Sequence, residues 1–473
     1  MRALVIGDLF LTLPGRLARR FRRARNRPRV VILVKGGLGH NAHVRKTASS
    51  LDRAGYEVLV LGARRGSDGE AAGWVREDRF LSRVVAAPRQ PLSRRHRRAV
   101  RRRERLERRL DRVRERHEAG TSRQSRFSRW RSGRLQRAAS RAREAEKRIY
   151  VQAKARRDRE DPHDLGRYEA AWWPLVRRLG PDVVHALDVS GLAVASRAKR
   201  AGARSVYEAH EPKRHVAEDG KNAAGLRQVA SYAAHADALI ATSSPLADLL
   251  VQDLGLKTTP AVVHNAPALD QREPPQPGLR ETAGVGGDTP LVVFTGVMTR
   301  RRRPGVVLEA MTLLPELEFA LLVREDDPWT GRLLERAEEL AVADRVHVVP
   351  KVPPGSVVSF IAEADLGVLP FARTPGQDLA MPNKLFEYLH AGLPIVVSEC
   401  KAMADFVRRH GLGEVAPLAD HEAWARAIER VLGAPRYRER REEWEALKRE
   451  WSWERQEREL LAVYRGLAAV AGS

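Results

Sequence analysis

Short apolar runs rich in β-branched residues alternate along much of the chain with stretches of helical periodicity. The first such unit spans residues 30–62, with a buried strand at 30–34, a glycine-containing loop, a helical pattern that stops at Gly55, and a second strand at 57–61. A continuous apolar strand of this kind is typical of a parallel sheet that is covered on both faces. The spacing is that of one βαβ crossover.

The same alternation resumes near residue 181 and starts afresh at residue 291. Between the two series, residues 266–290 are rich in Pro and Gly, as a linker between domains would be. The further strands predicted are 182–186, 205–208, 237–241, 261–265, 291–296, 319–323, 346–349, 366–369 and 395–397. The pattern therefore predicts an α/β protein with two Rossmann-like domains, residues 30–265 and 291–435, whose ligands would bind in a crevice at the carboxyl ends of the strands.

Residues 93–160 interrupt the first domain with a sequence that is rich in Arg and poor in Gly. Leu106, Leu110 and Val113 recur there at helical spacing, which predicts one or two long basic helices with a break near residues 120–122. We interpret this segment as an insertion. The tail, residues 436–473, is predicted as one long charged helix whose apolar side chains need cover, for instance from the first domain.

The net charge of +25 is concentrated in two segments. Residues 1–30 hold nine Arg and one Asp, and residues 89–160 hold 28 Lys plus Arg against nine Asp plus Glu, so the remaining chain carries about −2. A basic whole-chain charge therefore gives no argument for nucleic-acid binding by the body of the protein. We read residues 1–29 as a basic amphipathic leader.

Three interpretations of the basic segments 1–29 and 93–160 stay open. An anionic membrane or polymer is favoured, because each basic residue near anionic lipid contributes about 1 kcal/mol. A solvated helical hairpin or protein-binding arm is nearly as compatible. Nucleic acid is disfavoured, since the insertion offers only Phe127, Trp130 and Tyr150 for stacking.

The cellular location that we expect is based on the absence of a membrane-spanning apolar run and of the charge order of a signal peptide. No apolar run reaches the roughly 20 residues that span a bilayer, and the charge order around the first apolar run is the reverse of that in a cleaved signal peptide. The single cysteine, Cys400, excludes an intrachain disulfide. We expect a cytoplasmic protein that binds peripherally to the inner face of the membrane.

The most informative stretch for chemistry is residues 382–399, PNKLFEYLHAGLPIVVSE. Pro382 stands where a helix would begin, Lys384 lies in its first turn, and Glu387 lies one turn further on. A helix N-terminus with an added lysine favours phosphate, and a nearby carboxylate can accept hydrogen bonds from ribose hydroxyls. From these residues alone, a capped core helix with incidental surface charges is the slightly favoured alternative.

This stretch strongly resembles the donor-site motif of glycosyltransferase family 4 in its Pro-Asn-Lys-x-Phe-Glu-Tyr form. Further segments match that family in order, over residues 30–90 and 163–470 but outside the insertion. They are GGLGHNAHVRKTASSLDRAGYEVLVLG, PDVVHALD, YEAHE, ADALIATSSPLADLL, VVHNAP and VVFTGVMTR. The resemblance implies a GT-B fold, in which two Rossmann-like domains face each other across a cleft and the final helix crosses back to the first domain.

The resemblance also implies roles for particular residues. Glu387 matches the ribose-binding carboxylate, and Lys384 with one or two of the arginines at 300–303 matches the basic groups on the diphosphate. His210 matches a cleft histidine near the reacting sugar, which gives His210, Glu387 and Lys384 as the catalytic candidates. The donor-binding candidates are Gly36, Gly37, Gly296, Arg300, Arg301, Pro382, Asn383, Lys384 and Glu387, and the acceptor-binding candidates are His43 and Arg45.

The implied reaction is transfer of a sugar from a nucleotide-diphosphate sugar to a glycan, lipid-linked or small-molecule acceptor, with retention of anomeric configuration. No Asp-x-Asp pair of the metal-dependent kind stands out, so neither a metal nor a cofactor is expected. One position departs from the family: Leu379 stands where many members have a glutamate that contacts the transferred sugar. Two alternatives stay open, a sugar-nucleotide epimerase of the same fold, and a catalytically silent homologue that acts as a scaffold or binds nucleic acid.

Overall fold

The computed structural model describes residues 27–37, 41–65, 74–77, 79–87, 94–118, 134–149, 152, 165–210, 223–270, 276–434, 437 and 441–469. Most of the predicted leader (1–26), the predicted break at 120–122 and nearly all of 150–160 lie outside these ranges. Among the described helices, none combines the length and the apolar character that crossing a bilayer requires.

Two separate sheets carry the fold. The first has the strand order β3-β4-β2-β1-β5-β6-β7-β8, and all its pairs are parallel except the edge pair β3–β4. Its strands are β1 (Arg29–Lys35), β2 (Glu57–Arg65), β3 (Val75–Arg76), β4 (Leu81–Ala87), β5 (Val183–Leu187), β6 (Arg204–Ala209), β7 (Ala238–Ala241) and β8 (Ala261–Val262).

The second sheet is parallel throughout, with the order β11-β10-β9-β12-β13-β14. Its strands are β9 (Leu291–Thr295), β10 (Glu318–Leu322), β11 (Val346–Val349), β12 (Leu366–Leu369), β13 (Ile395–Val397) and β14 (Gly413–Val415). The predicted strands are therefore present in both domains. Strand β4, which joins the first sheet just before the insertion, was not predicted, nor were the short edge strands β3 and β14.

The helices connect the strands and cover both faces of each sheet. They are α1 (Ala42–Arg53), α2 (Arg94–Glu118), α3 (134–149), α4 (Leu165–Leu179), α5 (Leu192–Arg200), α6 (Ala223–Ala234), α7 (Ser244–Leu254), α8 (Leu279–Ala283), α9 (Gly305–Met311), α10 (Pro328–Glu339), α11 (Val357–Ile361), α12 (Pro375–Asp378), α13 (Asn383–His390), α14 (Lys401–His410), α15 (His421–Leu432), α16 (Arg441–Glu450) and α17 (Trp453–Ala469).

The first sheet has a separate apolar core on each face. Helices α4 to α7 pack on one face, where Trp172 and Leu246 are buried. Helices α1 and α17 pack on the other, with Leu51, Leu460 and Tyr464 buried among the strands. The last helix of the chain thus completes the hydrophobic core of the first domain.

The tail is not one helix, and that part of the prediction is wrong. It divides at Trp451–Ser452 into α16, which packs on α13 of the second domain, and α17, which packs on α1 and β8 of the first. The Ser452 hydroxyl accepts a hydrogen bond from the Arg455 backbone amide and so caps the new helix. The break lets the chain change direction while it crosses from the second domain to the first.

The described part of the insertion contains the helices α2 and α3, which agrees with the prediction of one or two long helices. They are joined by ion pairs, from Arg103 Nε to Glu146 at 2.5 Å and from Arg143 Nε to Glu107 at 2.7 Å. These pairs use two of the nine acidic residues of the segment, and its excess of arginine gives it a strong positive charge.

Part of the predicted linker is structured. Helix α8 lies within residues 266–290, and its Leu279 is fully buried in the core of the second domain. The Pro and Gly content that predicted a linker therefore reflects the turns on either side of a short helix.

Candidate functional site

The consecutive polar residues Glu387 and Tyr388 lie on different sides of helix α13. Tyr388 is fully buried, and its hydroxyl accepts a hydrogen bond from the Thr295 amide at 3.1 Å. Its ring packs so closely on Gly367 that a Cβ at that position would lie 2.6 Å from the ring. The buried tyrosine therefore fixes α13 against the end of β9, and Glu387 projects toward the cleft.

The carboxylate of Glu387 is held by two neighbours on the same helix. Asn383 Nδ2 donates to Oε1 at 2.9 Å, and Lys384 Nζ donates to Oε2 at 2.7 Å. Pro382 is the N-cap residue, with extended backbone angles, so the free N–H groups of the first turn start directly after it. The residues that we predicted to bind the ribose and the phosphates thus lie together at one helix terminus.

Arg302 joins this group from the second domain's first loop. A Cβ on Gly296 would lie 2.7 Å from Arg302 Nη1 and 3.9 Å from Lys384 Cε, so both cations border the same glycine. Gly296 has a φ of +139°, which an L residue rarely adopts. Burial lowers the pKa of Arg302, against the opposing effect of Tyr388 and Glu387, and its guanidinium lies 4.6 Å from the centre of the Phe371 ring. A cation desolvated in this way interacts strongly with an anion.

The structure thus distinguishes among the four consecutive arginines. Arg300 and Arg301, chosen from the sequence, are exposed, while Arg302 is the one that turns inward beside Lys384. The isolated bridge between Arg302 and Phe371 fixes that direction. Sequence gave no signal for it, because the four side chains are identical and the loop has no periodicity.

A cleft of about 640 Å³ lies between the two domains. Helix α1 contributes Arg45 and Lys46, the second domain contributes Asn383 and Glu387, and α17 contributes Trp453. Its volume is in the range of sites that take small molecules. Glu387 therefore borders a space shared by both domains.

Lys46, which was not a candidate from the sequence, is the first-domain group next to Glu387. Its Nζ donates to Asn265 Oδ1 at 2.9 Å and to the Ala266 carbonyl, and it lies 4.9 Å from the centre of the Trp453 ring. Burial lowers the pKa of Lys46 to about 7, although the carboxylates of Glu387 and Glu454 oppose the shift. The charge on this wall of the cleft therefore changes near neutral pH.

The contact that Leu379 makes differs from the sugar contact that the family resemblance implies for a glutamate at this position. Its carbonyl accepts a hydrogen bond from the Ser243 hydroxyl at 2.7 Å, a bond that joins the two domains. The neighbouring Asp378 accepts from the Lys401 amide at 3.0 Å and pairs with Arg373, so it caps α14. Neither residue offers a free carboxylate at the position of the missing glutamate.

His210 lies after β6 beside a buried carboxylate. Its Nε2 is 2.9 Å from Glu208 Oε1, and Glu208 is fully buried while His210 is partly exposed. Two more histidines surround the same carboxylate: His43 Nε2 is 2.5 Å from Oε1, and His185 Nε2 is 3.1 Å from Oε2. We call these four residues the histidine–glutamate cluster.

The remaining sequence candidates are placed as follows. His43 is 2% exposed and in contact with Glu208, so it lies beneath the surface of the first domain. Arg45 lines the cleft but pairs with Glu77 at 2.9 Å. Gly36 has a φ of +91° and donates to the Ala63 carbonyl, and Gly37 packs under the Arg64 guanidinium, so both are fixed to β2.

Three members of the cluster, His43, Glu208 and His210, form the one group in the described residues with the composition of a metal site. The distances between these atoms do not fit coordination of one metal ion. Ligands of a tetrahedral zinc ion with bonds of about 2.0–2.1 Å lie about 3.3 Å apart. The Glu208 oxygen is instead 2.5 and 2.9 Å from the two ring nitrogens.

Two family models match the chain and together cover more than half of it. "Glycosyltransferase Family 4" matches residues 123–271, and "Glycosyl transferases group 1" matches residues 289–434. The first match begins inside the segment that we interpreted as an insertion, and it includes helix α3. The second contains α13 and every second-domain residue of the candidate site.

One curated relative and two solved structures illustrate the similarity. The "D-inositol 3-phosphate glycosyltransferase" of Thermobifida fusca is 26% identical over 57% of this chain and 60% of its own length. The sucrose-phosphate synthase from Thermosynechococcus elongatus has a TM-score of 0.65 at 16% identity, covering 93% of this chain and all of its own. Anabaena HepE in complex with UDP-glucose has a TM-score of 0.57 at 13% identity, covering 94% and 99%.

These comparisons confirm the predicted fold of two Rossmann-like domains facing a cleft, the GT-B arrangement. The chain spans less than two thirds of the length of the curated relatives that it matches. The solved structures, which are under 25% identical, bear on the fold alone.

Proposed function

Because this chain belongs to glycosyltransferase family 4, we propose that it transfers a sugar from a nucleoside-diphosphate sugar to an acceptor, with retention of anomeric configuration. The observation that carries the proposal is the convergence of Glu387, Lys384 and Arg302 at the start of α13, where Glu387 borders the interdomain cleft. A carboxylate for the ribose and two cations for the diphosphate are the groups that such a donor requires.

In the proposed reaction the bond between the anomeric carbon and the diphosphate oxygen breaks, and the acceptor oxygen bonds to that carbon on the same face. Negative charge then develops on the leaving diphosphate, where Arg302, Lys384 and the free N–H groups of α13 stabilise it. The acceptor proton passes to a leaving phosphate oxygen, so no protein base is needed. His210 would hydrogen-bond a hydroxyl of the sugar and orient it.

The ligands of similar solved structures indicate which donors to test first. Two solved structures of similar fold hold UDP-glucose or UDP-2-fluoro-glucose according to their titles, which makes UDP-sugars the first donors to test. The acceptor classes to test are glycans, lipid-linked sugars and small molecules.

The direct test is release of nucleoside diphosphate by the purified full chain from UDP-, GDP-, ADP- and TDP-sugars, with and without candidate acceptors. The proposal expects turnover with one nucleotide series and a product of unchanged anomeric configuration. Conversion of the sugar with the nucleotide still attached would instead indicate an epimerase. Binding without turnover of any donor would favour a catalytically silent homologue, which the Leu379 position also suggests.

Metal independence is a separate expectation of this proposal. Treatment with excess EDTA should leave the rate of transfer unchanged, because Arg302, Lys384 and a helix terminus supply the positive charge that a metal would otherwise provide. The measurement is the initial rate before and after chelation, with the metal content checked by elemental analysis. A loss of rate that Mn²⁺ or Mg²⁺ restores would contradict it.

We further propose that the basic segments hold the enzyme against an anionic membrane on its cytoplasmic face. Replacing residues 93–160 with a short flexible linker should leave nucleotide binding intact and abolish most sedimentation with vesicles that contain phosphatidylglycerol. The reason is that the helices of the insertion carry a large excess of arginine, and each basic residue near anionic lipid contributes about 1 kcal/mol.

Vesicles of phosphatidylcholine alone are the control, and neither protein should sediment with them. Equal vesicle binding by the shortened chain would place the membrane contact elsewhere. Tight binding of duplex DNA by the full chain, lost on deletion, would support the nucleic-acid interpretation instead.

A further inference from the structure

A continuous series of polar contacts connects the C-terminal helix to His210 through the interior of the first domain. Tyr464 of α17 lies with its hydroxyl 3.0 Å from His185 Nδ1. His185 Nε2 lies 3.1 Å from Glu208 Oε2, and Glu208 Oε1 lies 2.9 Å from His210 Nε2. Tyr464, His185 and Glu208 are each at most 1% exposed, so the series is sealed from water until it reaches His210.

The distances determine where the protons are. A ring nitrogen this close to a buried carboxylate oxygen must carry its proton, because two facing lone pairs would repel each other. On this electrostatic ground His185 and His210 carry their protons at Nε2, although both contacts with Glu208 have ion-pair distances without the direction of a hydrogen bond. A neutral His185 then has an acceptor at Nδ1, and the Tyr464 hydroxyl is the donor placed to satisfy it. One hydroxyl on α17 thus selects the tautomer of a histidine in the sheet.

Glu208 is the centre of the series. Burial raises the pKa of its carboxyl, but the nearby His43 and His210 outweigh that effect and hold the pKa well below its usual value, so the group is an anion. A buried anion without partners would be very costly, and the three imidazoles supply those partners. Each ring is consequently held in one orientation around a fixed charge.

We propose that Tyr464, His185 and Glu208 form a positioning relay that fixes the ring orientation and tautomer of His210, so that the docking of α17 on the first domain completes the cleft site. None of the three lines the interdomain cleft, and each acts through the next. This inference rests on the proposed function, because it takes His210 as the residue that orients the sugar.

The relay has a specific chemical consequence at His210. With the proton of Nε2 held beside Glu208, the proton-accepting ring atom of a neutral His210 is Nδ1. If the relay is broken, the ring can exchange tautomers or rotate, and the sugar is held less accurately. Misplacement of reacting groups by about 1 Å can cost about 100-fold in rate.

The first test is the variant Tyr464→Phe, which removes one hydroxyl and leaves the ring in the apolar core. We expect kcat of transfer to fall about tenfold, with the donor KM within about twofold and the nucleotide affinity unchanged. Tyr56→Phe is the matched control, because its ring lies 5.3 Å from that of Tyr464 and it makes no described contact with the cluster. That control should behave as the wild type does.

The second test uses His185, where a conservative variant can restore the relay. A glutamine can donate to Glu208 from its amide nitrogen and accept from Tyr464 with its carbonyl oxygen. His185→Gln should therefore retain much more of kcat than His185→Leu, although both change the same buried position. Equal loss in the two variants, with equal thermal stability, would mean that the position serves packing alone.

A spectroscopic readout separates this inference from the proposed function. In protein labelled with ¹⁵N-histidine, the imidazole signals of His210, assigned by their loss in His210→Gln, report its tautomer without any substrate. Tyr464→Phe should shift these signals, and Tyr56→Phe should not. Unchanged His210 signals in Tyr464→Phe would overturn the relay whether or not the protein proves to be a transferase. Shifted signals in a protein with no transfer activity would support the relay and contradict the proposed function.

Discussion

Replacing Glu387 with alanine is expected to weaken binding of the matching nucleoside diphosphate roughly 10- to 100-fold and to reduce transfer to near the detection limit. A hydrogen bond that involves a charged group contributes about 1.5–3 kcal/mol, and the carboxylate can accept from two ribose hydroxyls. In the free protein its two oxygens are already positioned by Asn383 and Lys384. Calorimetric titration with the nucleotide measures the loss directly.

Two controls keep this result interpretable. The melting temperature of Glu387→Ala should stay close to that of the wild type, because the side chain lies at the cleft border and is not part of the core. Glu399→Ala, an exposed carboxylate later in the same stretch of sequence, should bind nucleotide normally. Full affinity in Glu387→Ala would remove the residue from the donor site.

The second large effect is expected at Arg302. Arg302→Ala should lower kcat by about 100- to 1,000-fold, because a desolvated cation that stabilises the charge of the leaving group acts mainly in the transition state. Lys384→Ala should have a similar effect, since both side chains border Gly296. Steady-state rates with the preferred donor, together with binding of the diphosphate alone, separate the loss in rate from the loss in affinity.

The neighbouring arginines make this a test between two assignments. Arg303→Ala serves as the exposed control and should stay within about threefold of the wild-type rate. If Arg300→Ala or Arg301→Ala costs as much as Arg302→Ala, the sequence-based choice of exposed arginines is correct and the inward-facing side chain is not the determinant. Arg302→Lys should rescue part of the rate only, because an ammonium lacks the planar guanidinium that stacks on Phe371.

The strands were predictable from sequence because buried parallel strands are short, β-branched and bounded by glycine. Residues 346–349, 366–369 and 395–397 were located to the residue. Strand β4 was missed because its sequence, LSRVVAA, mixes polar and small residues at a partly exposed edge of the sheet. The hydrophobic pattern of a strand arises from its burial, so a strand that is only partly buried shows a weaker pattern.

The candidate site was predictable only as far as local sequence determines it. The helix start at Pro382 and the positions of Lys384 and Glu387 follow from spacing within a few residues. The contacts with residues that are distant in the sequence do not follow from such spacing. Arg302 is selected among four identical neighbours by its contact with Phe371, and Lys46 is brought near Glu387 by the packing of the two domains.

The histidine–glutamate cluster shows the same limit. His43 was chosen as an acceptor contact because it lies on the helix that follows the glycine loop, and the fold buries it against Glu208. Glu208 itself gave no signal, since an acidic residue within a strand is usually at an edge or a surface. Its burial depends on three histidines from α1, β5 and the end of β6, which only the assembled sheet brings together.

The most direct test of the central claim is calorimetric titration of the purified full chain with UDP, GDP, ADP and TDP, repeated with Glu387→Ala. A protein that binds sugar donors at α13 should bind one of these nucleotides selectively, gain thermal stability from it, and lose both effects in the variant. Absence of binding by every nucleotide, or binding that Glu387→Ala leaves intact, would contradict a donor site at this helix.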